Sequence, residues 1–401
     1  MIRLFINSMT SGGAEKVVLT LLDRFQAAQQ EVQLICIEHE QFYDVPESAS
    51  VQYLSTHQSM ENSWQKIPFL FFGARRLKKM VVQQKIPIVQ SHLLRASFIN
   101  VIARWMGSSH HAQVVLHSRI NFDHKPWWYQ IVAKYLYKKI LHRADSVVSI
   151  CQSMKIELDD YLDLRKHPAH HAIYNPHDLA DIRQKAKAHI ADFKFQKETD
   201  YIISVGRLVP GKRLDDLVHA FAALQHSKPN TALLFIGEGP EQAKLQALSA
   251  QLHVKEKVHF LGYQQNPFAY IARSQILVLS SEWEGLPNVL IEALACRTAV
   301  VSSDCISGPR EILHPTSNLT KQLSNQWEKG SYGFLYPVGK WQLLKECLER
   351  LLSNSEERMA LVAAGEKRAQ EFEATGIAHQ YLKSFGLVAA KSTSCAEPIH
   401  R

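Results

Sequence analysis

The segment EWEGLPNVLIEALA carries two carboxylates with seven residues between them, Glu284 and Glu292. Pro287 suits the first turn of a helix, where the N–H it lacks would be unpaired in any case. Val289, Leu290, Ala293 and Leu294 continue that helix at a period near 3.6. Glu284 therefore precedes the helix, and Glu292 lies more than one turn inside it. Free backbone N–H groups around Gly285, Leu286 and Asn288 form a site that attracts a phosphate. Carboxylates beside it suit hydroxyl groups, as acceptors, and a nucleotide sugar offers hydroxyls on both sides of its diphosphate. The same residues also fit a surface helix with two solvated acids, of which Glu282 would be a third.

A second set of groups lies in SVGRLVPGKRLDDLV, where Arg207 directly follows an apolar strand and Lys212 comes five residues later, beside Gly206 and Gly211. Cations in such a loop can neutralise a diphosphate, Arg through forked contacts and Lys as a mobile point charge. Taken alone, the pattern also describes a solvated basic loop. In SGGAEK (Ser11 to Lys16), Gly12 and Gly13 permit close backbone approach to a ligand or, equally, a tight turn.

These loops need strands and helices to hold them. MIRLFINSMTSGGAEKVVLTLLDRF reads as strand, glycine turn and amphipathic helix, and VQLICIE, IPIVQSH, AQVVLHS and DSVVSIC follow as apolar strands separated by helical patterns. After the Asn-Pro turn in IYNPHD the same logic restarts at DYIISVGR and continues through TALLFIGEGP, KVHFLGY, QILVLSSEW and TAVVSSD. Strands alternating with helices predict an α/β fold of two doubly wound, Rossmann-like parallel-sheet domains facing across a cleft. The expected domains are 1–178 and 179–370, with a helix at about 370–386 and a frayed tail from 387 to 401. Ligands of open α/β sheets sit beyond the carboxyl ends of the strands, so the cleft should hold the site.

Composition excludes several classes. With 46% hydrophobic and 21% charged residues, the chain is neither disordered nor fibrous. No window approaches the roughly 20 apolar residues of a membrane span, and MIRLFINS is unlike a signal peptide, so a cytoplasmic protein is expected. The six cysteines never come closer than nine positions apart, which leaves no CxxC pair and predicts reduced thiols. The net charge of +8 is concentrated: between Asn62 and Arg143 stand fourteen Lys or Arg against one acid, Asp123. A stretch so one-sided predicts an anionic partner.

Taken together, Glu284 and Glu292 at their spacing, the GR-plus-Lys loop, the Gly-Gly loop, YNP (Tyr174 to Pro176) and SSDCISGPREIL (Ser302 to Leu313) resemble retaining glycosyltransferases of the GT-B fold, family GT4. The resemblance spans nearly the whole chain and is to bacterial enzymes that extend lipid-linked oligosaccharides, lipopolysaccharide or capsule. It implies that Glu292 holds the ribose hydroxyls and Glu284 the hydroxyls of the transferred sugar. Gly285, Leu286 and Asn288 would lie near the distal phosphate, Arg207 and Lys212 on the diphosphate, Gly12 and Gly13 facing it, and Glu238 among the donor-binding positions. His117, at the end of AQVVLHS, matches a family histidine that reaches the donor sugar, and His92 in VQSHLL is a second strand-end histidine. The catalytic set implied is His117, Glu284, Arg207 and Lys212. Arg213 departs from the pattern, because many relatives have glycine there.

The resemblance also implies that no metal or other cofactor is required, and no DxD-like carboxylate pair stands at a strand end. Both LDD segments, Leu158 to Asp160 and Leu214 to Asp216, lie in helical patterns as expected solvated faces. The expected partners are a nucleotide sugar, a lipid-linked saccharide acceptor and the anionic inner face of the plasma membrane. Two helices could meet that surface: one carries Trp64, Phe69, Phe71 and Phe72 with Arg75, Arg76, Lys78 and Lys79, the other Trp127, Trp128, Tyr135 and Tyr137 with Lys134, Lys138 and Lys139. The bland reading turns the aromatics into the core. No helix-turn-helix, zinc or RNP signature supports nucleic acid. A sugar-nucleotide epimerase and a catalytically inactive membrane scaffold are the alternative functions. A dinucleotide oxidoreductase is disfavoured, because neither glycine loop is a full GxGxxG.

Overall fold

The computed structural model describes residues 1–387 except 11, 44, 47–48, 57–62, 121 and 123–125, and only the backbone of 63–67. Among the described residues the strands form two seven-stranded sheets. The first contains β1 (Ile2–Ile6), β2 (Val32–Cys36), β3 (Val51–Tyr53), β4 (Ile88–His92), β5 (His111–Leu116), β6 (Ser146–Ser149) and β7 (His170–Ala172) in the order β3-β2-β1-β4-β5-β6-β7. The second contains β8 (Asp200–Val205), β9 (Thr231–Ile236), β10 (Val258–Phe260), β11 (Ile276–Leu279), β12 (Ala299–Ser303), β13 (Glu328–Lys329) and β14 (Phe334–Tyr336) in the order β10-β9-β8-β11-β12-β14-β13. All pairings are parallel except β13 with β14. This is the doubly wound arrangement expected, present twice. The short β3, β7, β13 and β14 have no counterpart among the strands read from the sequence.

Strand order decides where ligands can sit. In the first sheet the winding reverses between β1 and β4, and in the second between β8 and β11. The crevices open at the carboxyl ends of those strands. They are therefore bordered by residues 7–10, Gly12 and His92 in one half, and by residues 206–212 and 280–284 in the other.

The halves are joined as well as tethered. One apolar cluster runs from Val147 and Met154 of the first half through Ile173 and Leu179 to Leu290 and Ile291 of the second. It also takes in Phe372, Ile377 and Tyr381 from the last helical segment. The helix Ala374–Ser384 returns to pack on the helix Gly13–Ala27.

Both LDD segments lie in helices, Gln152–Tyr161 and Leu214–Leu224, but neither is simply solvated. Asp159 accepts from His170 Nδ1 at 2.8 Å and Lys155 at 2.7 Å, and the buried Asp216 accepts from Arg213 Nε at 2.7 Å. A helix with one buried stripe brings an acid near a neighbouring element, where a cation or imidazole compensates its desolvation.

Arg213 has φ 46° and ψ 45°, the left-handed conformation that glycine adopts without strain. The arginine is retained by its fork onto Asp216. Arg213→Ala should lose the fork and keep the strain, whereas Arg213→Gly loses the fork and relieves the strain. The glycine variant is expected to be the more stable of the two by about 1 kcal/mol. Chemical denaturation measures the difference, and the reverse order would remove the strain argument.

The two basic helices are Ser63–Gln84 and Trp127–Leu141. On the first, Ala74, Leu77 and Val81 enter the core, Phe69 packs against it, Phe71 and Phe72 are exposed, and the Trp64 side chain lies outside the described residues. On the second only Ala133 and Leu141 are buried, and Trp127 (74% exposed), Trp128, Ile131, Val132, Tyr135 and Leu136 form an outward apolar stripe. The aromatics of this helix therefore do not turn inward, apart from the half-buried Tyr137, which meets Phe98 and Phe122. Several of the cations are engaged locally: Arg76 with the Leu54 carbonyl, Lys78 with that of Met106, Lys138 with Asp163 and Lys139 with Tyr135. Lys134 covers the Tyr161 ring, and Arg75 and Lys79 are exposed. Among the described residues no helix is long and apolar enough to cross a membrane.

Candidate active site

The helix Asn288–Ala295 begins one residue later than its sequence suggested. Pro287 is its N-cap, with ψ 96°, so the prolyl ring stands just outside the first turn. Leu286 and Asn288 bring backbone N–H groups to this helix start, whereas Pro287 has none. Glu284 precedes the helix and Glu292 is its fifth residue.

Asn288 is also where the two halves meet. Its Oδ1 accepts from Asn175 Nδ2 at 2.8 Å, and a Cβ added at Gly13 would stand 3.3 Å from its Nδ2. Gly13 opens the helix Gly13–Ala27, with Gly12 as N-cap. Two helix N-termini thus face one crevice, each presenting unpaired N–H groups and the positive end of its dipole. Ser11 lies outside the described residues. At Gly12 a Cβ would collide with the Glu15 carboxylate, which accepts from Thr10 Oγ1 at 3.0 Å. Burial raises the Glu15 pKa, opposed by its backbone hydrogen bond, by Thr10 and by the charge of Arg207 reaching across from the second half.

On the opposite wall, Lys212 Nζ donates to Glu284 Oε1 at 2.5 Å, and Ser281 Oγ donates to the same oxygen at 2.6 Å. The Lys212 carbonyl accepts from Ser280 Oγ at 2.7 Å, which ties the β8 loop to the end of β11. Arg207 is exposed beside this loop. The carbonyl of His117, at the end of β5, lies against Gly285, where a Cβ would approach it to 2.6 Å. A cavity of about 520 Å³ lies between the halves and includes Lys16, Tyr43, His177, Tyr263, Asn288 and Glu292. Glu292 is half-buried; burial raises its pKa and Lys16 opposes the rise.

The structure therefore brings Gly12, Gly13, Arg207, Lys212, Glu284, Gly285, Leu286, Asn288 and Glu292 to one cleft, with His117 on its border. Glu238 stands at the end of β9 on the same sheet edge, but its carboxylate is turned to the Tyr263 amide at 3.4 Å and not to the Lys212 loop. Residues absent from the sequence reading also contribute. Lys16 faces Glu292, His177 lies against Asn288, and Glu311 links the halves. The buried Glu311 carboxylate accepts at 2.8 Å from the amides of Gln152 and Ser153, from Ser153 Oγ and from Tyr174 OH, capping a helix of the first half from the second. The YNP and GPRE segments marked these positions; their partners lie more than a hundred residues away and left no local signal. Asn175 Oδ1 and His177 Nε2 are buried without a hydrogen-bond partner among the described residues, as befits a polar site that receives a ligand.

Residues 11–181 match the family model for glycosyltransferase family 4, and residues 185–368 match that for glycosyl transferases group 1. The chain is 30% identical over 387 residues to the N-acetylgalactosamine-N,N'-diacetylbacillosaminyl-diphospho-undecaprenol 4-alpha-N-acetylgalactosaminyltransferase of Campylobacter jejuni, covering 95% of this chain and 98% of that one. It belongs to the family 4 glycosyltransferases. The lipopolysaccharide 1,6-galactosyltransferase of Escherichia coli is 34% identical over 127 residues, 30% of this chain and 34% of that protein. Among solved structures, Anabaena HepE with UDP superposes with a TM-score of 0.74 at 18% identity, covering 96% of this chain and all of that one. At that identity the likeness is one of fold, and the fold is GT-B. This family 4 glycosyltransferase therefore has two α/β halves, with two helix N-termini and the Lys212–Glu284 pair along the cleft between them.

Proposed function

We propose that this glycosyltransferase moves a hexose or N-acetylhexosamine, with retention and without a metal, from a UDP-sugar to a lipid-linked glycan of a bacterial surface polysaccharide. The observation that carries the reading is the convergence of two helix N-termini with Arg207 and Lys212 on one crevice flanked by Glu284 and Glu292. As the bond from the anomeric carbon to the phosphate oxygen breaks, negative charge grows on the leaving diphosphate. Arg207, Lys212 and the preorganised amides oppose that charge. The acceptor oxygen bonds to the anomeric carbon from the face the diphosphate leaves, and its proton passes to the leaving phosphate. Glu284, held by Lys212 and Ser281, receives hydroxyls of the transferred sugar, and Glu292 those of the ribose. The Campylobacter relative, named for N-acetylgalactosamine transfer to a diphospho-undecaprenol glycan, supports the acceptor class.

Mass spectrometry of products from a panel of UDP-sugars and lipid-diphosphate saccharides, run in excess chelator, tests the reading. A glycosylated lipid with an α-linkage from an α-donor is expected, and loss of turnover on chelation would contradict the metal-free step. Glu292→Gln should weaken nucleotide binding about tenfold in calorimetric titration, the size of one charge-assisted hydrogen bond. Unchanged affinity would remove Glu292 from the ribose.

We assign membrane association at the inner face to the outward stripe of Trp127–Leu141 with its flanking lysines. Flotation with anionic vesicles should retain the protein at low salt and release part of it as salt screens the lysines. Failure to float under either condition would discard that assignment.

A further inference from the structure

Beneath the cleft, the first sheet carries a buried line of polar side chains with a single hydrogen-bond direction. Gln90 and His92 are two apart on β4 and so share a face. Gln90 is in register with Gln113 of β5, which is in register with Ser146 of β6. Ser384, in the last helix, approaches the same line.

The direction follows from the one group whose role is unambiguous. Ser384 Oγ donates to the Tyr381 carbonyl at 2.7 Å, because a carbonyl can only accept. Its proton is thereby used, so Gln113 must present its amide nitrogen to Ser384, at 3.0 Å. Gln113 Oε1 then accepts from Gln90 Nε2 at 2.7 Å, which leaves Gln90 Oε1 facing His92 Nε2 at 3.2 Å. That oxygen requires a proton on His92 Nε2. A neutral His92 is then bare at Nδ1, 2.8 Å from His117 Nε2, and the only bond that fits is donated by His117. The alternative is an imidazolium at His92 with both nitrogens protonated. His92 is fully buried, and burial together with His117 pushes its pKa well below the ordinary value, against that form.

We propose that His92 is a positioning residue that holds the half-buried His117 as the Nε2–H tautomer, so that His117 meets the transferred sugar through Nδ1 as an acceptor of a sugar hydroxyl and not as a proton donor. The assignment of the hydroxyl rests on the function proposed above; the tautomer does not. A histidine that kept a donor nitrogen in the cleft would instead favour an acceptor oxygen such as that of the leaving phosphate. The relay removes that option and reserves the phosphate for Arg207 and Lys212.

The test is a long-range 1H–15N spectrum of the full chain labelled with 15N-histidine, with His117 assigned by its loss in His117→Gln. A bare Nδ1 and protonated Nε2 on His117 are expected in the wild type at pH 7 without ligand. A proton on Nδ1, or on both nitrogens, overturns the proposal whatever the enzyme's activity. His92→Asn keeps an acceptor oxygen near the Nδ1 position and should retain the tautomer. His92→Leu should give a mixture of tautomers and about a tenfold lower turnover with UDP binding unchanged. An unaltered tautomer and turnover in a folded His92→Leu would equally overturn it. Absence of transfer by the wild-type chain with every donor would instead defeat the proposed function and leave the tautomer readable.

Discussion

Replacing Lys212 by alanine is expected to lower turnover about a hundredfold, the usual cost of removing one preorganised group that meets charge developing in a transition state. The Lys212 ammonium is 2.5 Å from Glu284 Oε1, and its loop is clamped by Ser280 Oγ on the Lys212 carbonyl and by the Glu282 amide on the Gly211 carbonyl at 2.9 Å. The cation therefore stands in place before the diphosphate arrives and needs little reorganisation. Its loss has a second consequence, because Glu284 would keep only Ser281 while facing an anionic leaving group. Steady-state kinetics should show the effect mainly in kcat. A decrease smaller than threefold would mean that the leaving charge is met elsewhere. Lys212→Arg should recover part of the activity, since it restores the charge in a bulkier, planar form.

Gly285→Ala should be as damaging without touching a charge. The added methyl would meet the His117 carbonyl oxygen at 2.6 Å, and backbone on that side cannot rotate away. The loop is held from behind as well, where the Gly308 amide donates to the Gly285 carbonyl at 2.8 Å. Relief must come from moving the donor loop away from the first half. A displacement near 1 Å at reacting groups costs about a hundredfold in rate. The expected outcome is a folded protein, by circular dichroism, with turnover reduced to that extent. Gly376→Ala, where an added Cβ meets nothing within 4 Å, is the matched control. Equal activity in the two variants would show that the close approach of Gly285 to His117 has no part in transfer.

Much of this enzyme could be read along the chain because its signals are local. Buried parallel strands are short apolar runs, and β2, β4, β5, β6, β8, β9, β10, β11 and β12 stood out as such. The glycine loops and the two acids with seven residues between them mark positions where backbone must approach a ligand or where a helix begins, and both are properties of neighbouring residues. Local patterns were silent on what those residues meet. Nothing within SVGRLVPGKR says that Lys212 rests on Glu284, 72 positions later, or that Arg207 faces Glu15. The outward stripe on Trp127–Leu141 has the same cause: periodicity identifies an apolar face, but only the neighbouring elements decide whether that face is covered. Glu311 in GPRE, His177 after YNP and the line from Ser384 to His117 became visible only once the chain had folded. Hydrogen bonds across a sheet or between halves join residues by proximity in space, and sequence separation carries no record of it.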